Sequence, residues 1–364
     1  MLYVPILNSI SRKHIFKNGA QKKVHNAIYP SVTVIIPVHN EELVIERRLN
    51  NIFEGDYPQD KLEVIVVDSG SNDNTSEIIT AKFSNKLKLI QEEQRRGKAH
   101  AINLALQVCH GNIVIITDGP TLYHKSTISS LVTCFNDPQV GGATAMYRIQ
   151  NKKENRITLM EDLLWTYKDK IRIAESKVSS TSWLSGEACA FRKELVECVE
   201  ENSLADDSNV ALQIISKGYR VIANEDSFFM EKSPTKFNEY FVVKVRKALG
   251  GQQEILRFRR LLFNRTYGLF GQLIFPHRLL VELINPILCM LSIAFIVLSI
   301  FELFDMLGLV ITATLVAVSV SVILLFRDVT LTYVYVQIIL VVAFHQLLFR
   351  RLDVKWYQSK TTRY

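Results

Sequence analysis

The 364-residue sequence predicts an α/β domain followed by an all-α apolar bundle, and three observations predict it. The runs Val32 to Pro37 and Val64 to Val67 are short, apolar and β-branched, and each ends abruptly in polar residues. The first runs into His39-Asn40-Glu41-Glu42 and the second into Asp68-Ser69-Gly70-Ser71-Asn72-Asp73. This is a strand-loop-helix-strand-loop pattern, and ligands of open α/β sheets bind beyond the carboxyl ends of such strands. The third observation concerns the end of the chain: Leu279 to Phe349 carries only Glu282, Glu302, Asp305, Arg327 and Asp328 as charges.

After the second strand, Asn72-Asp73-Asn74-Thr75 precedes Glu77-Ile78-Ile79 and reads as a helix start with Asp73 as a candidate N-cap. Arg96-Gly97-Lys98-Ala99-His100-Ala101-Ile102-Asn103 follows, then a strand over Gly111 to Thr117 that meets Asp118, then the segment Gly186 to Arg192. Ala205-Asp206-Asp207-Ser208 opens a helix over 209–217, where acidic residues suit the positive end of the helix dipole. In this order the segments resemble the P-x-x-N-E, D-[DS]-G-S-x-D-x-T, G-K-x-x-A-x-N, D-x-D, G-x-x-x-x-x-R and E-D-x-x-L motifs of family 2 glycosyltransferases, inverting enzymes of GT-A fold. The resemblance covers residues 31 to 235 and implies a GT-A-like mixed sheet that binds a nucleotide sugar.

Residue by residue, the resemblance implies that Pro37, Asn40 and Glu41 form the first wall of the donor site. Asp68 and Asp73 would contact base or ribose, Lys98 the base or phosphates, and Asp118 the diphosphate through a metal. Gly186 and Asp206 fall on the acceptor side, and Asp207 takes the place of the general base that removes the acceptor proton. The metal motif departs from the pattern: the chain reads Asp118-Gly119-Pro120-Thr121, so a proline replaces the second carboxylate. Mg²⁺ or Mn²⁺ takes oxygen ligands, commonly one or two carboxylates plus substrate phosphates, so Asp118 can suffice only with the donor diphosphate.

Processive polysaccharide synthases of this family carry Q-x-x-R-W after the base. Here the segment is Val243-Lys244-Val245-Arg246-Lys247-Ala248-Leu249-Gly250-Gly251, which keeps the arginine and lacks the glutamine and the tryptophan. Arg246 and Lys247 are candidates for the donor diphosphate or an acceptor phosphate, with a basic interfacial helix as the plainer alternative. Trp356, Thr362 and Arg363 resemble the W-x-T-x-R tail of some membrane synthases.

The apolar stretch divides into Leu279–Ile300, Leu307–Phe326 and Leu331–Phe349. Each is long enough, at ~1.5 Å rise per residue, to cross a hydrocarbon core of ~30 Å. The charge distribution agrees. Residues 1–30 carry +5, residues 236–278 carry +7 and residues 350–364 carry +4, so the remainder is acidic within a chain of net charge +7. Basic residues beside apolar spans mark the cytoplasmic side. Three crossings put the basic tail opposite the enzyme, whereas two, with one segment in the interface, keep both on one side.

The expected organisation is therefore a basic N-terminal segment (1–30), a GT-A domain (31–235), a basic interfacial segment (236–278), transmembrane helices (279–349) and a basic tail (350–364). It implies a multi-pass protein of the cell membrane whose catalytic domain is cytoplasmic and whose acceptor is a lipid or lipid-linked glycan. A processive synthase is the alternative in the same class, and a catalytically silent scaffold the alternative in another. Nucleic acid is not expected as a partner, since the main domain is acidic and has no basic motif interleaved with aromatics. Five isolated cysteines without C-x-x-C spacing exclude a zinc or disulfide framework, and no GxxxxGK[ST] or GxGxxG loop occurs.

Overall fold

Side chains that alternate along the strands sort into two layers. Ile35, Ile65, Val67, Val114 and Ile116 enter one buried cluster, and Val34, Ile36, Val64, Val66, Ile113 and Ile115 the other. Strands that are apolar on both faces need a layer on each side, and helices supply both. The computed structural model describes residues 2–13, 29–292, 294–295, 297–299, 327–349 and 362. The expected span Leu307–Phe326, the N-terminal Lys17, Lys22 and Lys23, and the tail apart from Thr362 lie outside the described residues.

The sheet has eight strands: β1 (Val32–Val38), β2 (Leu62–Ser69), β3 (Lys88–Glu92), β4 (Ile113–Ile116), β5 (Leu122–Tyr123), β6 (Val140–Ile149), β7 (Cys189–Arg192) and β8 (Arg220–Glu231). Their order is β3-β2-β1-β4-β7-β6-β8-β5. The β3-β2-β1-β4 half is parallel, β7 runs antiparallel to β4 and β6, and β6 is parallel to β8, so the sheet is mixed. Registers Val38↔Asp68 and Ile35↔Ile116 bring the carboxyl ends of β1, β2 and β4 to one edge.

Helices α2 (Ile45–Phe53), α3 (Thr75–Phe83) and α5 (Thr127–Thr133) cover one face; α4 (Lys98–Val108), α6 (Arg156–Val178) and α7 (Asp206–Ser216) cover the other. Helix α1 (Tyr3–Lys13), inside the basic N-terminal segment, joins the second layer. Its Leu7 is fully buried, and Tyr3 donates to Glu175 of α6 at 3.0 Å.

Helix α8 (Phe237–Arg257), within the basic segment, buries Tyr240, Lys244, Val245, Leu249, Gly250, Gly251, Gln252, Glu254 and Ile255 against its neighbours. Helix α9 runs from Phe270 to Ser299, so it begins before Leu279, and its first turns bury Phe270, Ile274, Phe275 and Arg278 in the domain. Beyond these turns Ile287, Leu288, Met290, Leu291 and Phe295 are exposed. Helix α10 (Arg327–Phe349) sets Ile339 and Ala343 against Leu204, Val245 and Leu249, and exposes Leu331, Val334, Ile338 and Leu348. Phe270–Ser299 and Thr330–Phe349 are long and apolar enough to cross a membrane, and most of the apolar length of each is left uncovered by the rest of the protein. Helices that serve as the core of a soluble domain are covered on most sides.

Candidate active site

The loops after β1 and β2 clasp one another. Asn40, at a left-handed φ of 51°, donates its amide to Ser71 Oγ at 2.8 Å and accepts from the Asn72 amide at 2.7 Å. The Glu41 amide donates to Thr75 Oγ1 at 2.8 Å and the Glu42 amide to Asp73 Oδ2 at 3.1 Å. Asp68, 3% exposed, accepts from the amide and hydroxyl of Ser71 and from the hydroxyl of Ser76. Asp73 accepts through Oδ1 from the amide and hydroxyl of Thr75, the turn-closing use of its carboxylate. Pro37 lies within β1, buried and in register with Val67, just before this clasp.

A second group of residues converges across the edge of the sheet. Lys98 opens α4, and its Nζ lies 2.7 Å from Asp118 Oδ1 after β4 and 3.1 Å from Asp206 Oδ2 at the start of α7. The amide of Gly186 donates to Asp207 Oδ2 at 3.1 Å, and the Ser208 amide donates to Oδ1 at 2.6 Å. A Cβ on Gly186 would come within 3.2 Å of Lys98 Nζ, so a side chain there would crowd the ammonium. The two groups touch at Gly119, where a Cβ would lie 3.2 Å from Glu41 Cγ.

The charges interact strongly. Burial works against the ammonium of Lys98, but Asp118 and Asp206 outweigh it and raise its pKa. Burial raises the Asp207 carboxyl to about 6, with repulsion from Asp206 and Glu187 adding to the shift and Lys98 opposing it. A carboxylate poised there is ionised at neutral pH yet basic enough to accept a proton. Arg246 also faces this group: burial lowers its pKa, while Asp206, Asp118 and Asp207 act in the other direction.

Several contributors are not motif residues. The Glu187 carbonyl accepts from Thr117 Oγ1 at 2.8 Å and from Tyr123 Oη at 2.9 Å, and its carboxylate lies 3.0 Å from Lys247 Nζ. Arg48, fully buried in α2, donates to Thr117 Oγ1 at 2.6 Å and lies 4.2 Å from the centre of the Tyr123 ring. These contacts fix the backbone that presents Asp118 to the backbone that presents Gly186. Glu187 follows Gly186 directly and was the one legible clue; Arg48 sits on a helix whose pattern gives no reason to single it out.

Among the described residues no group of three or more His, Cys, Asp or Glu is placed to hold a metal ion. At the end of β4 the carboxylate is Asp118, already paired with Lys98, and Pro120 offers no side-chain oxygen. This donor set fits a divalent cation only when further oxygens arrive with a ligand.

Residues 33–200 match the model of glycosyl transferase family 2. The chain carries a family 2 glycosyltransferase domain. The family 2 domain and the helices after it are similar to mannosyltransferase PcManGT from Pyrobaculum calidifontis, a structure in complex with GDP-Man and Mn²⁺. The TM-score is 0.72 and the identity 29%, over 95% of this chain and 98% of that one, which shows the GT-A fold. The probable glycosyltransferase YdaM of Bacillus subtilis is 25% identical over 266 residues, 68% of this chain and 63% of its own length. A poly-β-1,6-N-acetyl-D-glucosamine synthase of Staphylococcus aureus is 26% identical over 235 residues, 62% of this chain and 56% of its own. The match thus spans less than two thirds of either curated relative.

Proposed function

We propose that the chain is an inverting glycosyltransferase that moves a sugar from a nucleotide-sugar donor to a lipid or lipid-linked acceptor at the cytoplasmic face of the cell membrane. The observation that carries this reading is the Asp207 carboxylate, held by the Gly186 amide beside the Lys98–Asp118 pair. Asp207 takes the proton of the acceptor hydroxyl as its oxygen attacks C1 of the sugar. The new C–O bond forms as the bond from C1 to the diphosphate oxygen breaks on the opposite face, and the nucleoside diphosphate leaves with the electron pair. Lys98 and Arg246 place positive charge where the leaving group gains negative charge. Asn40, Glu41, Asp68 and Asp73 shape the end that receives the nucleotide, with Asp68 and Asp73 acting through the loop they hold as well as through any direct contact.

Mg²⁺ or Mn²⁺ would be held by Asp118 together with the donor diphosphate, and it would neutralise charge on the leaving group. The Mn²⁺ in the similar mannosyltransferase supports a divalent cation. The two apolar helices support membrane attachment, and the basic segments flanking them support a cytoplasmic catalytic domain.

The test is a screen of the protein purified in detergent against nucleotide sugars, GDP-mannose and UDP-N-acetylglucosamine among them, with Mn²⁺ or Mg²⁺ and membrane lipid extract. Release of nucleoside diphosphate with one donor, and a sugar carried into the lipid phase, supports the reading; no turnover with any donor overturns it. The S. aureus relative favours a second reading, a processive polysaccharide synthase. The missing glutamine and tryptophan around Arg246 favour the first, and product length separates them: single additions against a long water-soluble polymer.

A further inference from the structure

The first apolar helix is wired to the start of the helix that carries Asp207. Arg278, 4% exposed although it sits on α9, spreads its guanidinium over three elements. Nη1 donates to the Ser182 carbonyl at 2.7 Å, Nη2 to Ser208 Oγ at 3.3 Å, and Nε to Glu282 Oε1 at 2.9 Å. The same guanidinium lies 5.5 Å from the centre of the Trp183 ring.

The partners give these bonds their meaning. Ser182 and Trp183 lie in the loop between α6 and β7 that also carries Gly186, whose amide holds Asp207 Oδ2. Ser208 is the next residue after Asp207, and its own amide holds Oδ1. Arg278 therefore braces both backbone segments that donate to the Asp207 carboxylate, while touching neither oxygen itself.

The space around the brace is built for it. A Cβ at Gly251 of α8 would come within 2.5 Å of Glu282 Oε2 and 3.2 Å of Arg278 Nη2, so a side chain there would push the Glu282 carboxylate out of its present place beside Arg278. The neighbouring Gln252, fully buried, donates to the Glu282 carbonyl at 2.9 Å and to the Leu340 carbonyl of α10 at 3.0 Å. Glu254, one turn along α8, accepts from Ser203 Oγ and Asn209 Nδ2 on either side of Asp207. A chain of buried polar contacts thus runs from both apolar helices to the start of α7. Within it all three guanidinium nitrogens of Arg278 are bonded, while Gln252 Oε1 has no hydrogen-bond partner among the described residues; buried polar networks of this kind favour a single geometry through their paired members.

We propose that Arg278 is a positioning residue: it fixes the Gly186 and Ser208 amides around the Asp207 carboxylate, so that transfer depends on the seating of α9 against the domain. The proposal rests on Asp207 as the base, but its structural half can be read without any turnover.

The experiment uses the full chain in detergent and compares wild type, Arg278→Gln, Arg278→Lys and Ser208→Ala. In Arg278→Gln the kcat of the folded fraction should fall about 10-fold or more with donor KM within about twofold, the pattern of an interaction expressed in the transition state. Arg278→Lys should recover part of the loss, since an ammonium can still reach the Ser182 carbonyl. Hydrogen exchange of peptides spanning 183–187 and 205–209 should quicken in Arg278→Gln while that of β1 and β2 stays unchanged. If Arg278→Gln does not fold, Ser208→Ala removes one contact at little cost in volume and should lower kcat several-fold at constant donor KM. A folded-fraction kcat equal to wild type, or a parallel loss of kcat and donor affinity, overturns the proposal. Unchanged exchange at both peptides overturns it whatever reaction the chain performs, whereas absence of turnover in the wild type with quickened exchange in Arg278→Gln overturns only the functional reading.

Discussion

Gly186 and Asp207, 21 residues apart in the chain, are joined by a 3.1 Å hydrogen bond from the amide to Oδ2. The bond aims a carboxylate across the edge of the sheet toward Lys98 and leaves it among other acids, Asp206 and Glu187. That environment makes it basic, and it makes the folded protein less stable when the carboxylate ionises.

The first prediction follows from that sign. Burial and two neighbouring carboxylates raise the Asp207 carboxyl from an ordinary 3.8 to about 6, against the opposing charge of Lys98 and the hydrogen bond from the Ser208 amide. Between these values the folded state binds more protons than the unfolded one, so this group's contribution to stability falls as pH rises through the window. Asp207→Asn should therefore gain in Tm relative to wild type, more at pH 8 than at pH 4, in thermal unfolding at both pH values. If Asp207 is the base, as proposed, wild-type kcat should rise with pH and level off above about 6, since a base must be ionised to act.

The second prediction concerns Lys98, whose side chain is 12% exposed between Asp118 and Asp206. Lys98→Met leaves two partly buried carboxylates facing each other without a cation. The loss should be about 3 kcal/mol in denaturant unfolding at neutral pH, the scale for breaking a buried pair by removing one partner. Adding Asp118→Asn in the same chain should recover part of it, and the double-mutant cycle measures the coupling.

How far the sequence foretold this site depends on what each residue contacts. Lys98, Asp118, Gly186 and the Asp206-Asp207 pair stand in four separate motifs, and the structure brings them together because β1, β2 and β4 end at one edge and α4 and α7 start there. Asp73 carried two readings in the sequence, donor contact and helix start, and its carboxylate holds the turn between Thr75 and Glu42. Arg48, Glu187 and Arg278 are not motif residues, and each acts through contacts with segments distant in the chain, which no local pattern encodes. Helix α9 starts at Phe270, before the apolar stretch that begins at Leu279, and its first turns are buried in protein; composition marks the apolar stretch and not the point where the helix starts.

The third prediction concerns the cation. With Asp118 paired to Lys98 and Pro120 in place of a second carboxylate, titration calorimetry should find weak Mn²⁺ binding to the free protein and tighter binding once the donor or its nucleoside diphosphate is present. Asp118→Asn should abolish that enhancement. Tight Mn²⁺ binding without nucleotide would point to ligands other than Asp118.

The fourth prediction concerns the seating of α10. Ile339 and Ala343 pack on Leu204, Val245 and Leu249 beside the start of α7. Ile339→Ala should cost about 2 kcal/mol in detergent, the lower end of the scale for a buried truncation. Substitution of the exposed Ile338 by alanine should leave Tm unchanged, and the pair of melting curves checks which face of the helix meets protein.

The most direct test of the account is kcat and donor KM for Asp207→Asn measured beside wild type with the donor the protein accepts. The substitution keeps the size of the side chain and an oxygen to receive the Gly186 amide while removing its basicity. The account predicts a fall in kcat of roughly 10²-fold or more, the scale of general base catalysis, with donor KM little changed. A kcat equal to that of wild type would contradict it.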